Sequence, residues 1–262
     1  MDLKARPIGF FDSGVGGISV LKYAVKILPN ENFVYFGDSF RAPYGIKTSD
    51  EIKKLTFNAV DFLLSQDIKA LVVACNTATS IAIEDLRKKY EDHMPVIGIE
   101  PALKPAAECM SKGKIIIMAT PVTLSEEKFY NLVKRYNIKC DIEPMPCPGL
   151  VELIESGLTY GKEVETYLKD KFLPFIDDDI SAVVLGCTHY PFIKKALDKV
   201  LNEMGKNVNI LDGSLGTVNQ LKRQLEKYGI IAGCNNKSGN IKIFNSLKNK
   251  EIIDLSYRLL NE

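Results

Sequence analysis

The fold is decided by the stretch ALVVACNT, residues 70–77, which has an echo in AVVLGCTH, residues 182–189. Each stretch is a continuously apolar run that ends in a cysteine, has a threonine within two residues, and leads into a helical pattern. Continuously apolar runs are typical of strands buried on both faces of a parallel sheet. The echo indicates two similar α/β halves, although two buried strands also resemble each other because buried strands share a composition.

The same alternation of apolar runs and amphipathic segments extends through the chain and predicts an α/β fold with mostly parallel sheets. Thr48 and Glu51 form a capping box that opens a helix toward Leu64. The predicted strands are residues 8–11, 33–36, 70–74, 96–99, 115–118, 182–186 and 208–211, and the other predicted helices are 76–90, 125–136, 191–204 and 214–227.

Composition excludes several classes of protein. The chain has 262 residues, enough for one large domain or two modest ones. Lys plus Arg (34) nearly equals Asp plus Glu (33), so nothing indicates a nucleic-acid partner. No apolar stretch reaches the ~18 residues that suggest a membrane span, and no signal peptide is evident. We therefore expect a cytoplasmic protein whose six cysteines are thiols, with no Cys-x-x-Cys pair for a metal.

Small polar, thiol and carboxylate groups follow the predicted strands. In open α/β sheets, ligands bind beyond the carboxyl ends of the strands, so these groups predict a pocket for a small, polar, charged ligand. They are Asp12-Ser13-Gly14, Gly37-Asp38-Ser39, Cys75-Asn76-Thr77, Glu100, Ala119-Thr120-Pro121, Cys187-Thr188-His189 and Asp212-Gly213-Ser214.

The glycine-rich segment DSGVGG, residues 12–17, does not fit a dinucleotide fingerprint, because position 19 is Ser where a glycine is required. The segment instead predicts a tight strand-to-helix turn whose backbone N–H groups attract an anion such as a carboxylate. Asp12 is a candidate site residue, and it equally fits a plain helix N-cap.

Two cysteines are candidates for chemistry because each ends a strand among polar neighbours. A lone cysteine in such a place is usually a small core residue, but Cys75 and Cys187 share the pattern. His189 either tunes the Cys187 thiol or is a satisfied buried histidine, and Tyr44 either covers the pocket or packs a loop. The remaining cysteines, Cys109, Cys140, Cys147 and Cys234, are predicted to be structural, and His93 is predicted to lie at the surface.

Four ordered motifs resemble the cofactor-independent aspartate/glutamate racemase superfamily: FDSGVGG (11–17), GD (37–38) with PYG (43–45), ACNTA (74–78) and LGCTHYP (185–191). The resemblance implies two α/β domains with the active site in the cleft between them. It also implies that the first domain is discontinuous, formed by residues 1–98 plus 209–262, with 99–208 as the second. Homodimers are common among such proteins.

The resemblance also implies roles for individual residues. Cys75 and Cys187 match the two catalytic thiols, and Glu152 fits one further assisting carboxylate. The other assisting residues are Asp12, Asp38 and His189, and the substrate-binding positions are Asp12, Ser13, Pro43, Tyr44, Gly45, Cys75, Asn76, Thr77, Cys187, Thr188 and His189. Thr120 and Thr123 are additional contact candidates, but Pro121-Val122 stand between them where relatives often carry glycine.

The implied activity is the interconversion of L- and D-glutamate, an isomerase reaction without cofactor or metal that supplies D-glutamate for peptidoglycan synthesis. Inverting the α-carbon needs one acid/base group on each face of a nearly planar carbanion, and two thiols meet that need. An aspartate or other amino-acid racemase is the nearest alternative, although aspartate racemases usually have Thr-Glu after the second cysteine.

Two further alternatives belong to other classes. In a cysteine hydrolase, Cys187 is the nucleophile and His189 the base. The sequence argues against this, because residues two apart beside a strand end rarely bring thiol and imidazole together, and Cys75 has no purpose there. A binding protein acting on DNA topology gains no support from the balanced charge.

Overall fold

The computed structural model describes residues 2–108, 113–137, 141–233 and 238–262. These residues form two compact units, Met1–Glu100 with Ser214–Glu262 (the first unit) and Pro101–Gly213 (the second unit). The division at residues 1–98 plus 209–262, and 99–208, stays a prediction. Cys109, Cys140 and Cys234 lie outside the described residues.

The elements alternate along the chain as the sequence predicts. The strands are β1 (Ile8–Asp12), β2 (Phe33–Gly37), β3 (Ala70–Val73), β4 (Val96–Gly98), β5 (Lys114–Ala119), β6 (Asp141–Pro146), β7 (Ile180–Leu185), β8 (Asn209–Asp212) and β9 (Ile241–Asn245). The α-helices are α1 (Ile18–Ile27), α2 (Ser49–Leu64), α3 (Asn76–Tyr90), α4 (Leu103–Glu108), α5 (Pro121–Ser125), α6 (Glu127–Asn137), α7 (Leu150–Glu155), α8 (Lys162–Phe172), α9 (Lys194–Glu203), α10 (Ser214–Lys227) and α11 (Lys250–Asn261).

The first unit contains a five-stranded parallel sheet in the order β4-β3-β1-β2-β9. Every residue of β1 is buried, as expected for a central strand covered on both faces. Ile8 is in register with both Phe33 and Ala70, so the neighbouring strands end at one edge of the sheet. That edge brings the carboxyl ends of β1, β2 and β3 near one another. Asp12 is the last residue of β1, Asp38 follows β2, and Cys75 lies just beyond β3.

The second unit contains a four-stranded parallel sheet in the order β6-β5-β7-β8. Apolar clusters cover both of its faces. One cluster includes Ile116, Val183 and Leu185, and the other includes Ile117 and Val184. Successive residues of a strand point to opposite faces, so continuously apolar strands fill both clusters. The predicted α/β class with mostly parallel sheets is confirmed.

All seven predicted strands are present, and the structure adds two that the sequence pattern did not predict. Both additions are edge strands, β6 and β9. β6 contains two prolines, which are tolerated at an edge, and only its Ile142 and Met145 are buried. The helix predicted over 125–136 is α6, and the structure adds the short helix α5 before it. The helix predicted over 191–204 opens with the 3-10 helix Tyr190–Ile193. Among the described residues, no helix is long and apolar enough to cross a membrane.

Candidate active site

Cys75 lies at the carboxyl end of the first unit's sheet and is the N-cap of α3. Its side chain is buried, and its Sγ accepts a hydrogen bond from the Ala78 backbone N–H at 3.4 Å. The Ser13 hydroxyl lies 3.4 Å from the same sulfur. The amino end of a helix favours a negative charge, so a thiolate at this position is met by the helix dipole and by two hydrogen-bonding groups.

Asp12 ends β1 and is fully buried. Its Oδ1 accepts a hydrogen bond from the Gly14 N–H at 2.8 Å, within the turn that leads to α1. A Cβ on Gly17 would meet the Asp12 Cβ at 2.7 Å, so the turn requires glycine there. The N-cap of α1 is Gly17, so the alternative of Asp12 as a plain helix N-cap is wrong: five residues of tight turn separate the strand from the helix.

Asp38 follows β2 and is held by two side chains of the next loop. The Tyr44 hydroxyl donates to its Oδ2 at 2.8 Å, and Arg41 Nη1 donates to its Oδ1 at 3.0 Å. Burial, followed by the charge of Asp38 and the hydrogen bond to it, raises the pKa of Tyr44 far above its ordinary value. The phenol therefore stays protonated and remains a donor, and Tyr44 does more than pack the loop.

The carboxyl end of β9 supports the same loop, a role that the sequence did not reveal. Asn245 is buried and donates from Nδ2 to the Ser39 hydroxyl at 2.9 Å. The Ser246 hydroxyl accepts from the Phe40 N–H at 3.0 Å. These contacts join positions more than 200 residues apart, and no short-range pattern could have indicated them.

Asn76 begins α3 beside Cys75 and is buried. Its Oδ1 has no hydrogen-bond partner within the described part of the chain. A buried polar atom without a partner is costly, which makes this oxygen a candidate acceptor for a bound ligand. Thr77, the next residue of the helix, is also buried, as is Ser13, whose hydroxyl contacts Cys75.

In the second unit, Cys187 and His189 follow β7 and are both buried. His189 Nδ1 lies 3.7 Å from the Cys187 Sγ, and His189 Nε2 lies 2.6 Å from Glu155 Oε1. Burial alone lowers the pKa of His189, but hydrogen bonds to Cys187 and Glu155, and their charges, raise it well above the ordinary imidazole value. A protonated imidazole therefore lies next to the thiol.

The predicted assisting carboxylate Glu152 is exposed in the first turn of α7. The structure brings Glu155, one turn further on, to His189 instead. The spacing Glu-x-x-Glu was visible in the sequence, but it does not indicate which carboxylate points to the site. The fold makes that choice, because Val151 and Ile154 anchor the apolar side of this short helix.

Two expectations about the segment after Cys187 are wrong. The helix predicted over 191–204 does not open as an α-helix, because Cys187 is followed by a turn and the 3-10 helix Tyr190–Ile193, and α9 begins only at Lys194. Proline at position 191 suits the first turn of such a helix. The argument that residues two apart rarely bring thiol and imidazole together also fails, because the turn folds His189 back onto the sulfur.

The remaining candidate residues lie in helix caps, in the core or at the surface. The hydroxyls of Thr120 and Thr123 lie 2.9 Å apart, and Thr120 caps α5. Thr188 is buried, whereas His93 is exposed as predicted. Burial raises the pKa of Cys147 to about 12, so this thiol is inert, as expected of a structural cysteine. Within residues 2–108, 113–137, 141–233 and 238–262, no group of three or more His, Cys, Asp or Glu side chains is placed to hold a metal ion.

Each of the two parallel sheets has a buried thiol after an interior strand, Cys75 after β3 and Cys187 after β7. The family model Asp/Glu/Hydantoin racemase matches residues 19–221. The chain belongs to this family.

Individual relatives agree with this assignment. The chain is 67% identical over 262 residues to glutamate racemase of Clostridium kluyveri and 60% identical over 261 residues to that of Clostridium acetobutylicum, covering 100% of both proteins. Among solved structures, glutamate racemase from Francisella tularensis in complex with D-glutamate has a TM-score of 0.84 at 30% identity, covering 99% of this chain and 95% of that one. Escherichia coli glutamate racemase, in complex with L-glutamate and activator UDP-MurNAc-ala, has a TM-score of 0.81 at 29% identity, covering 98% and 94%.

Proposed function

We propose that this chain is a glutamate racemase that interconverts L- and D-glutamate, with Cys75 and Cys187 as its two acid/base groups. The observation that carries the mechanism is that each thiol has its own groups for stabilising charge or moving a proton. Cys75 has Ser13 and the amino end of α3, and Cys187 has His189. Full-length identity of 67% to a glutamate racemase carries the choice of substrate.

The chemistry explains why two such groups are needed. The α-hydrogen of an amino acid is a very weak acid, and its removal leaves a nearly planar carbanion. A thiolate takes the proton from one face while a thiol supplies a proton to the other, and the roles swap for the opposite enantiomer. A free thiol of pKa ~8.5 is only about 3% thiolate at pH 7, so groups that favour the thiolate increase the reactive fraction.

The assisting residues divide between the two thiols. On the Cys75 side, Asp12 and Asp38 act as proton acceptors or orienting groups, because a nearby carboxylate alone disfavours a thiolate. On the Cys187 side, His189 holds the proton that the thiol gives or receives, and Glu155 keeps the imidazole in place. Fixed hydrogen-bond donors then stabilise the charge of the carbanion.

The substrate is held by polar groups at the strand ends. The free Oδ1 of Asn76 accepts a hydrogen bond from the substrate ammonium group. Backbone and side-chain donors at these ends bind the substrate carboxylates. The proposed binding set is Asp12, Ser13, Pro43, Tyr44, Gly45, Cys75, Asn76, Thr77, Cys187, Thr188 and His189.

We further propose that the product D-glutamate serves peptidoglycan synthesis in the cytoplasm and that the active form is a homodimer. The Escherichia coli relative was solved with the activator UDP-MurNAc-ala, which carries a peptidoglycan sugar. Depleting the chain in its native cell should stop growth unless D-glutamate is supplied. Light scattering of the purified chain should give twice the monomer mass of 29.2 kDa.

The activity is tested by circular dichroism of L-glutamate and L-aspartate solutions during turnover in separate assays. We expect the glutamate signal to decay to zero and aspartate to react more slowly. Faster turnover of aspartate would replace the assignment with aspartate racemase. In deuterium oxide, racemisation places deuterium at Cα, whereas a cysteine hydrolase would leave Cα unlabelled.

A further inference from the structure

The segment that runs from the last residue of β6 to α7 contains three consecutive backbone carbonyls, those of Pro146, Cys147 and Pro148. We call these three groups the carbonyl row. Each accepts a hydrogen bond from a different side chain. Lys171 Nζ donates to the Pro146 oxygen at 2.8 Å and Tyr167 donates to the Pro148 oxygen at 2.9 Å. The hydroxyl of Tyr190 donates to the Cys147 oxygen at 3.3 Å.

The three donors come from two places in the second unit. Tyr167 and Lys171 are four residues apart on α8 and therefore lie on one face of that helix. The Lys171 ammonium also lies 5.8 Å from the centre of the Tyr167 ring. Tyr190 is fully buried and directly follows His189. The carbonyl row is thus tied both to α8 and to the turn that carries the imidazole.

The position of Glu155 depends on this connection. Gly149 follows the carbonyl row with a positive φ of 83°, and α7 begins at the next residue. This helix has six residues and ends at Glu155, whose carboxylate meets His189 at 2.6 Å. Buried Leu150 and Ile154 anchor its apolar side, and the carbonyl row holds the segment that leads into it.

We infer that Tyr167 and Lys171 are positioning residues for the Glu155–His189 pair. By holding the carbonyl row, they fix where α7 begins and how it is rotated, and this rotation directs the Glu155 carboxylate toward the imidazole. Neither residue belongs to the proposed substrate-binding set, and both contact the carbonyl row. The inference deepens the proposed function. Its effect on racemisation rests on that function, whereas the positioning of Glu155 does not.

The sign of the effect follows from the groups around His189. Within the described residues, the titratable groups that meet its ring are Cys187, on the same turn, and Glu155, on α7. The Glu155 carboxylate favours the protonated imidazole, whereas burial opposes it. A carboxylate that moves away therefore lowers the pKa of His189.

The test uses the full chain and NMR titration of its histidine rings. There are two histidines, and His93 is exposed, so the His189 signals are assigned readily. In the double variant Tyr167→Phe with Lys171→Met, we expect the midpoint of the His189 titration to move to lower pH by about half a pH unit or more. His93 should not move.

Lys169→Met is the matched control, because it removes a lysine of the same helix that pairs with Glu203 at 2.7 Å and does not reach the carbonyl row. Its His189 titration should equal that of the parent chain. Lys171→Arg keeps a donor, so its His189 titration should lie close to that of the parent chain and should show little of the shift seen with Lys171→Met alone.

An unmoved His189 titration in the folded double variant would overturn the inference. If the double variant does not fold, the two single variants are measured instead. An unchanged His189 titration in both single variants would also overturn the inference. Racemisation is recorded separately, where we expect kcat to fall with KM nearly unchanged. A parent chain that does not racemise glutamate would refute the proposed function without affecting the NMR result.

Discussion

Cys75 and Cys187 end corresponding strands but have unlike neighbours. Cys75 caps a helix and lies beside a serine hydroxyl, so its surroundings supply dipoles and hydrogen bonds. Cys187 lies beside an imidazole that a carboxylate keeps protonated, so its surroundings supply a mobile proton. The two directions of racemisation should therefore respond differently to changes on the two sides.

Serine substitution of each thiol tests this asymmetry. We expect Cys75→Ser and Cys187→Ser each to lower racemisation by roughly 10²–10⁴-fold, because a hydroxyl is a far poorer proton donor and acceptor. Each variant should retain more proton exchange with one enantiomer, and the retained enantiomer should differ between them. Solvent exchange at Cα of each enantiomer measures this. Full activity in either variant would rule out the two-thiol mechanism.

Glu155 and Glu152 form a matched pair on one helix. The pKa of His189 is raised by Cys187 and by Glu155, and Glu155→Gln removes the carboxylate charge, so the His189 pKa falls and the imidazolium is lost at a lower pH than in the parent chain. We expect the part of the pH–rate profile that depends on this proton to shift to lower pH, with a loss of about tenfold at neutral pH.

Glu152→Gln changes an exposed carboxylate and should leave both the rate and the profile close to those of the parent chain. A larger effect of Glu152→Gln than of Glu155→Gln would favour the assignment made from the sequence.

At the scale of elements, the last strand of the chain supports a loop near its beginning. Asn245 at the end of β9 bonds Ser39, next to Asp38. Asn245→Ala should lower kcat by about tenfold, because a displaced Asp38 no longer lies where the reaction needs it. Steady-state kinetics, with circular dichroism to verify folding, would measure this.

Asn249→Ala is the control for that variant. Asn249 caps α11 through a 3.1 Å hydrogen bond from the Ile252 N–H, and among the residues that the structure describes it makes no hydrogen bond to the Asp38 loop. Its removal should cost about 1 kcal/mol of unfolding free energy with little change in kcat. Denaturant unfolding would give the first quantity. Equal losses of kcat in the two variants would show that Asn245 acts only through stability.

At the scale of the whole molecule, one buried ion pair ties distant parts of the first unit together. Lys69 Nζ lies 2.5 Å from Glu31 Oε2, and it also donates to the carbonyls of Lys4 and Ile230. Glu31 Oε1 accepts from the Ala232 N–H at 2.7 Å. The pair thus joins the start of the chain to the segment after α10.

Breaking this pair should destabilise the fold strongly. Lys69→Met leaves a buried, uncompensated carboxylate and should lower the unfolding free energy by about 3–5 kcal/mol. Adding Glu31→Leu removes that carboxylate and should recover a large part of the loss. Denaturant unfolding of the single and double variants would measure both effects. A double variant less stable than Lys69→Met would contradict this account.

Much of the fold was predictable because it depends on local pattern. Buried parallel strands must be continuously apolar, so the interior strands β1, β3 and β7 were evident, and the α3 and α10 helices were found with their correct ends. The edge strands β6 and β9 were not found, because a half-exposed strand needs no such pattern and its partner is chosen by pairing across the sheet.

The sequence by itself determined the α/β class, the two strand-end cysteines and the polar residues that follow the strands, because each of these depends on neighbours along the chain. Only the tertiary structure decided that Glu155, rather than Glu152, meets His189, that the turn after Cys187 folds the imidazole back onto the sulfur, and that Asn245 holds the loop of Asp38. The reason is physical: these contacts depend on how helices rotate and strands pair, and packing sets both through residues far away in the chain.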